Sequence, residues 1–329
     1  MTGAPRDALA IAAFVFVVAA AAFALGSNVA LTFVMMALYA TLLAQAWNLL
    51  GGFGGQFSFG HALFFGTGAY VQAIAQVSGG LNPWLALPLA VAAAGTVGAG
   101  VGGLAFRYGL KGSYFALVTL AFAEVFRILA LSLGFTGGGV GMLLPLRASA
   151  ANLQFASPRG YVLLLLVIVT LALAVTAWLR HSRFGASLQA VRDNEDAARA
   201  LGIAPFRVKL IATVLSAAFM GAAGAFYVQA FQYIDPALAF GATTSVEALL
   251  GAIVGGMGTL WGPVLGALAL HTLAEVTRNM FGALPGINMV IYGAVLVLIV
   301  MFMPRGIAGL GVALRWPKRS AGRGEGGHD

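Results

Sequence analysis

The stretch Arg180–Lys209, RHSRFGASLQAVRDNEDAARALGIAPFRVK, is the one long polar interruption in an otherwise apolar chain. It carries six cations (Arg180, Arg183, Arg192, Arg199, Arg207, Lys209) and three acids (Asp193, Glu195, Asp196), in a chain only 9% charged overall. Such a segment belongs in water, and it has the punctuation of a short helix. Asp193 is the expected N-cap, with Asp196 at N3 as a short-armed capping box. Helix formers follow through Leu201; Gly202 then stands at the left-handed C′ position, and Pro205 blocks resumption. A helix of roughly eight residues is marginal alone in water, so something must hold it, either the rest of this chain or a partner.

Outward from this segment the chain is membrane-spanning. A mean hydropathy of +0.94 and long apolar runs define an integral membrane protein. The expected spans are 8–25, 29–50, 62–77, 84–106, 113–133, 161–179, 210–231, 245–254, 262–277 and 287–303, an all-α fold of about ten transmembrane helices, each of ~20 residues where complete. Residues 1–316 form one transmembrane domain in this reading, and 317–329 a disordered tail. The first run, Ala8–Leu25, leaves two readings open: a signal peptide ending in small residues, or a retained span, which its 18 apolar residues favour. The loop 134–160, containing Thr136 and Gly137–Gly139, has room for a short surface helix.

The net charge of +8 would point to nucleic acid in a soluble protein. Here the cations lie between spans, so the bilayer, not nucleic acid, explains them. With the N-terminus inside and ten spans, fourteen cations fall inside, nine of them Arg6, Arg107, Lys111 and the six of the polar segment, and five in the C-terminal tail. Only Arg147, Arg159 and Arg278 fall outside. The bias places both termini and the 180–209 loop in the cytoplasm.

Chemistry is sparse. No cysteine is present, and His61, His181, His271 and His328 lack metal-ligand spacing. The three lysines (Lys111, Lys209, Lys318) stand in no phosphate-binding loop, and no nucleophile elbow or zinc-protease pattern occurs, so the chain is read as a non-enzyme with no bound cofactor or metal. Two glycine-dense breaks, LLGGFGG at 49–55 and LLGAIVGGMG at 249–258, interrupt apolar segments in a similar way. They are either paired breaks marking a transport path or tight turns between packed helices. Glu124 and Arg127 sit three apart on one helix face and are able to pair; charges at this depth are expected to face the interior or an aqueous cavity. Gln56, Ser58, His61, Gln72 and Glu247 complete the candidate pathway or gate residues. For each a bland alternative stands: packing or interfacial placement for His61, Gln56 and Ser58, helix-to-helix hydrogen bonding for Gln72, and an interfacial position for Glu247.

Within the polar segment, Asp196-Ala197-Ala198, three residues and Gly202 resemble the EAA-x3-G pattern of ATP-binding-cassette (ABC) importer permeases, with Asp in place of Glu. Four further motifs, WNLLGGFGGQFSFGH (47–61), GSYFALVTL (112–120), RDNE (192–195) and GGMGTLWGP (255–263), resemble the branched-chain amino-acid branch of that family, of the LivH/LivM type and closer to LivM. The likeness runs from about span two to span ten. The chain departs from the pattern at Asp196, in lacking an I-x-L-P ending after Gly202, and in its Thr136 glycine loop. The resemblance implies that Arg192, Asp193, Asn194, Glu195, Asp196, Ala197, Ala198 and Gly202 form a coupling helix docking on an ATPase. It also implies a second homologous permease, two ATPase subunits carrying ATP–Mg, an external substrate-binding protein, and a bacterial inner-membrane location. Branched-chain or other small apolar amino acids are the expected cargo, with urea or short amides as the rival. An ion-gradient-driven secondary transporter is the alternative of a different class.

Overall fold

The computed structural model describes residues 4–281 and the helix 306–313, with isolated positions 290, 293, 294, 297 and 301 between them. The expected tenth span and the 317–329 tail lie outside the described residues, apart from those isolated positions in the span. Among the described residues the long helices are α1 (Ala4–Ala24), α2 (Asn28–Trp47), α3 (His61–Val77), α4 (Pro83–Arg107), α5 (Gly112–Ser132), α6 (Pro158–His181), α9 (Pro205–Phe231) and α12 (Gly262–Phe281). Shorter ones are α7 (Arg183–Asp193), α8 (Glu195–Ala200), α10 (Pro236–Phe240), α11 (Ala242–Gly255) and α13 (Gly306–Ala313). Among the described residues seven segments are long and apolar enough to cross a membrane, α10 and α11 counting together as one. The helices α3 and α12 match the expected third and ninth spans within a few residues.

Close packing of small residues builds the centre. In a bilayer, helices gain little from the hydrophobic effect against one another, and short side chains let backbones touch. Helix α9 packs most extensively against α4 and α3. A Cβ on Gly68 of α3 would lie 2.5 Å from the Cα of Gly221 on α9, and one on Gly98 of α4 would lie 2.5 Å from Ala217. No larger side chain fits these crossings.

Helix α2 does not simply stop. It widens into a π-helical turn over Asn48–Phe53, and residues 54–60 then run without helix to His61. That stretch climbs back into the bundle. His61 Nε2 meets Ser216 Oγ at 2.9 Å, and Ser216, eleven residues into α9, is about 16 Å along its axis. Helix α3 therefore starts well inside the bundle rather than beside an inner turn. Irregular backbone at this depth survives because protein covers it: the Trp47 indole donates to the Ser58 carbonyl at 2.9 Å, and Ser58 Oγ accepts from the Gly60 amide.

The loop between α5 and α6 holds three short 3-10 turns rather than a surface α-helix. Its Met142–Leu143 pairs antiparallel with Tyr233–Ile234 after α9, a two-stranded ribbon that the all-α expectation did not contain. The pairing satisfies backbone groups that a glycine-rich loop leaves free.

Candidate functional site

The polar segment folds as two helices set almost end to end. Ser182 caps α7, its Oγ accepting from the Gly185 amide at 3.0 Å. The cap of α8 is Asn194, not Asp193: Asn194 Oδ1 accepts from the Asp196 and Ala197 amides at 3.1 and 3.0 Å, while Asp193 ends α7. The backbone at Asn194 turns extended, which breaks the helix one residue later than the capping rule suggested. At the far end Gly202 takes the expected left-handed conformation, φ +82°, and the Ile203 amide reaches back to the Ala198 carbonyl at 3.1 Å. Helix α7 itself was not foreseen; its leucine, valine and glycine contacts to the bundle (Leu188, Val191, Gly185) are the buried side of an amphipathic turn.

Glu195 pins this segment to the bundle. Its Oε2 lies 3.2 Å from both Lys209 Nζ and Lys111 Nζ, and its Oε1 3.3 Å from Arg199. The Lys209 side chain is only 2% exposed, and its ammonium rests 4.8 Å from the centre of the Phe106 ring. Burial pushes the Glu195 carboxyl up, but the Lys209 and Lys111 ammonium groups outweigh it and hold the group below the ordinary carboxylate range. The outer side is different. Asp196 is 79% exposed, Leu201 81%, and Ala197, Ala200 and Gly202 are exposed beside them. A charged and apolar rim stands clear of the rest of the chain.

The same end of the bundle collects other charges. Asp7 at the start of α1 contacts Arg180 at 2.9 Å and His181 at 3.0 Å, and Lys111 of the α4–α5 turn meets Glu195. The N-terminus of α1, the α4–α5 turn and the polar segment thus share one side.

The two glycine breaks come together at this side. Asn48, in the π turn, accepts from the Gly258 amide at 2.7 Å and donates to the Thr259 carbonyl at 3.0 Å. Asn48 lies inside the 47–61 motif, and its one local signal was an amide within an apolar run. Above the breaks, α2, α11 and α12 line a half-open cavity of about 1330 Å³, whose lining includes Phe33, Tyr39, Thr243, Glu247, Leu250 and His271. Glu247 therefore faces this cavity, inside the first turns of α11.

The remaining candidates separate. Gln56 Nε2 donates to the Gly54 carbonyl within its own turn. Gln72 is fully buried and donates to the Pro83 carbonyl at the head of α4, so it joins helices. Gln76 in turn donates to the Gln72 carbonyl. Glu124 and Arg127 do pair, through two hydrogen bonds of 2.5 and 2.8 Å. They stand on the outward face of α5, however, 51% and 29% exposed, not toward the interior or the cavity. The helical spacing fixed the pairing but not which face α5 would turn to its neighbours.

Residues 28–300 match the family model described as branched-chain amino acid transport system / permease component. The chain belongs to this family. It is 30% identical over 291 residues to the high-affinity branched-chain amino acid transport system permease protein LivM of Escherichia coli K12, covering 81% of this chain and 67% of that protein. It is 26% identical over 289 residues to LivH of Salmonella typhimurium, covering 82% and 90%. A fructose import permease protein, FruF of Bifidobacterium longum, is 24% identical over 195 residues, covering 59% and 53%. No solved structure matches the chain. The chain is thus a permease subunit of an ABC importer, a multi-pass protein of the bacterial inner membrane with ATP hydrolysis left to a separate subunit.

Proposed function

We propose that this permease moves branched-chain or other small apolar amino acids inward, paired with a second homologous permease. Two ATPase subunits binding ATP–Mg drive it, and an external substrate-binding protein delivers the cargo. In this reading the chain has ten spans with both termini in the cytoplasm, and α7–α8 is the coupling segment. The observation that carries the reading is the double character of that segment: an exposed rim of Asp196, Leu201 and Gly202 on one side, and a buried Glu195–Lys209 anchor on the other. A docking element needs both, a face for the partner and a rigid tie to the bundle. The grouping of Asp7, Lys111 and the polar segment at one end, with their many cations, favours that end as cytoplasmic. Cargo follows the names of the LivM and LivH relatives, and the cavity beside Glu247 is the path through this subunit. Glu124, paired with Arg127 on the outward face of α5, is not the pathway acid that a secondary transporter would need.

The test is uptake of labelled leucine into proteoliposomes holding the chain with its partners, with and without ATP on the ATPase side. Valine and urea serve as competitors. ATP-dependent uptake suppressed by valine is the expected result; suppression by urea alone would change the cargo, and uptake that follows an ion gradient without ATP would overturn the mechanism.

A further inference from the structure

Arg192 is the last cation of α7, and its side chain, 36% exposed, lies across the π turn on the side away from the exposed rim. Its Nη1 donates to the Gly52 carbonyl at 3.2 Å, inside the π turn that ends α2. Its stem lies directly over Gly55, where φ is +64° and a Cβ would overlap Arg192 Cγ. Across the gap stands Gly258, φ +74°, where a Cβ would lie 3.5 Å from Nη1 and 3.2 Å from the Gly52 carbonyl. Asn48 closes the arrangement by bonding both Gly258 and Thr259. One side chain from the water-exposed segment is thus bonded to the break that ends α2 and stands beside the break that ends α11, which Asn48 ties to the first. Those two helices are walls of the cavity.

We propose that Arg192 is the positioning residue that carries movement of the α7–α8 segment to the two glycine breaks, and through them to the cavity walls. The proposal rests on the coupling-segment reading above. Arginine suits the task because its planar fork makes directed bonds while Asp193, 3.0 Å from Nε, fixes its orientation. The segment has ties to the bundle besides Arg192: Glu195 with Lys209 and Lys111, and the buried Leu188 and Val191. At the receiving end, backbone carbonyls and glycines with positive φ offer no side chains to cushion the push, so a displacement of the guanidinium reaches the helix ends directly.

The chain has no cysteine, so Thr243→Cys in the cavity wall gives this subunit one reporter site, used with partner subunits whose own cysteines are replaced. In the full importer, maleimide labelling of that cysteine is measured with and without a non-hydrolysable ATP analogue, alongside leucine uptake per ATP hydrolysed. With Arg192 present, nucleotide changes the labelling rate. With Arg192→Ala, copurification of the ATPase persists, the nucleotide-dependent change in labelling disappears, and uptake per ATP falls about tenfold. Arg192→Lys, which keeps the stem and the charge but loses the fork, falls between the two. Wild-type labelling response and uptake per ATP in R192A would overturn the proposal. If R192A does not assemble, R192K decides, and full coupling in it overturns the proposal equally. The parallel variant Asp196→Lys separates the two readings. Uncoupling by D196K with normal R192A removes the strut alone; normal transport by both removes the coupling-segment reading itself.

Discussion

Glu195 shows how much one side chain holds at the polar end. It accepts from two lysines and one arginine, and one of those lysines is almost wholly enclosed. Truncating it leaves the Lys209 ammonium buried without its partner, which costs about 3 kcal/mol where a buried pair is broken on one side. Glu195→Ala is therefore expected to lower the melting temperature of the purified complex and to uncouple transport, whereas the double variant Glu195→Gln, Lys209→Met restores much of the stability because no charge is left stranded. Thermal unfolding of the three proteins checks this. The acid dependence has a definite sign. The folded carboxyl titrates below its unfolded value, so its contribution is fully present above the ordinary carboxylate range and is lost only as pH falls through and below that range. Transport between pH 6 and 8, the span about neutrality in which histidine rather than carboxylate titrates, should show no step attributable to Glu195. A step there that E195Q removes would contradict the assignment. At this scale the sequence was partly legible: the charges of the segment were visible, but Lys209 looked like another solvent-facing cation. Its burial depends on Phe106 arriving from a distant part of the chain and on the α8–α9 turn folding Glu195 back over it.

At the scale of elements, α8 is only six residues long and depends on its ends. Asn194→Ala removes the side chain that accepts from two amides and should cost about 1 kcal/mol of local stability. Amide hydrogen exchange in 195–200 should quicken, while Asp193→Ala leaves it as it was, because Asp193 is not the cap. The rule that misplaced the cap is sound; two adjacent residues, Asp193 and Asn194, both satisfy it, and only the actual break in the backbone chooses. The α3–α9 crossing gives a second test. Gly68→Val forces a branched side chain against the Gly221 backbone, and overpacking there should destabilise by about 3 kcal/mol. Reduced yield of folded protein in detergent would register it; wild-type stability would mean that the helices are less closely seated. The outward face of α5 carries a paired acid and base among exposed apolar side chains such as Leu117, Val125 and Ile128. Such a pair is costly against lipid.

For the whole molecule, coupling depends on the exposed rim of the polar segment. Gly202→Val puts a branched residue at φ +82°, where it is strained, and adds bulk to the exposed rim. Uptake of leucine should drop at least tenfold, a loss of coupling of over 1.4 kcal/mol, with the protein still inserted. Normal ATP-driven uptake by G202V would remove Gly202 from the coupling segment.

The sequence by itself determined the class and most of the elements. Span length and hydropathy are properties of contiguous residues, and the bilayer imposes them without reference to the rest of the chain. The polar segment, its left-handed glycine and the motifs that carry the family resemblance are equally local. Only the tertiary structure decided which way each helix face points. It turned Glu124 and Arg127 outward, Gln72 onto α4 and Glu247 into a cavity, because helical spacing fixes angles within a helix and says nothing of its neighbours. It also brought the breaks at 49–55 and 249–258 together beneath Arg192, where their glycines admit a backbone approach that no pattern within one segment records.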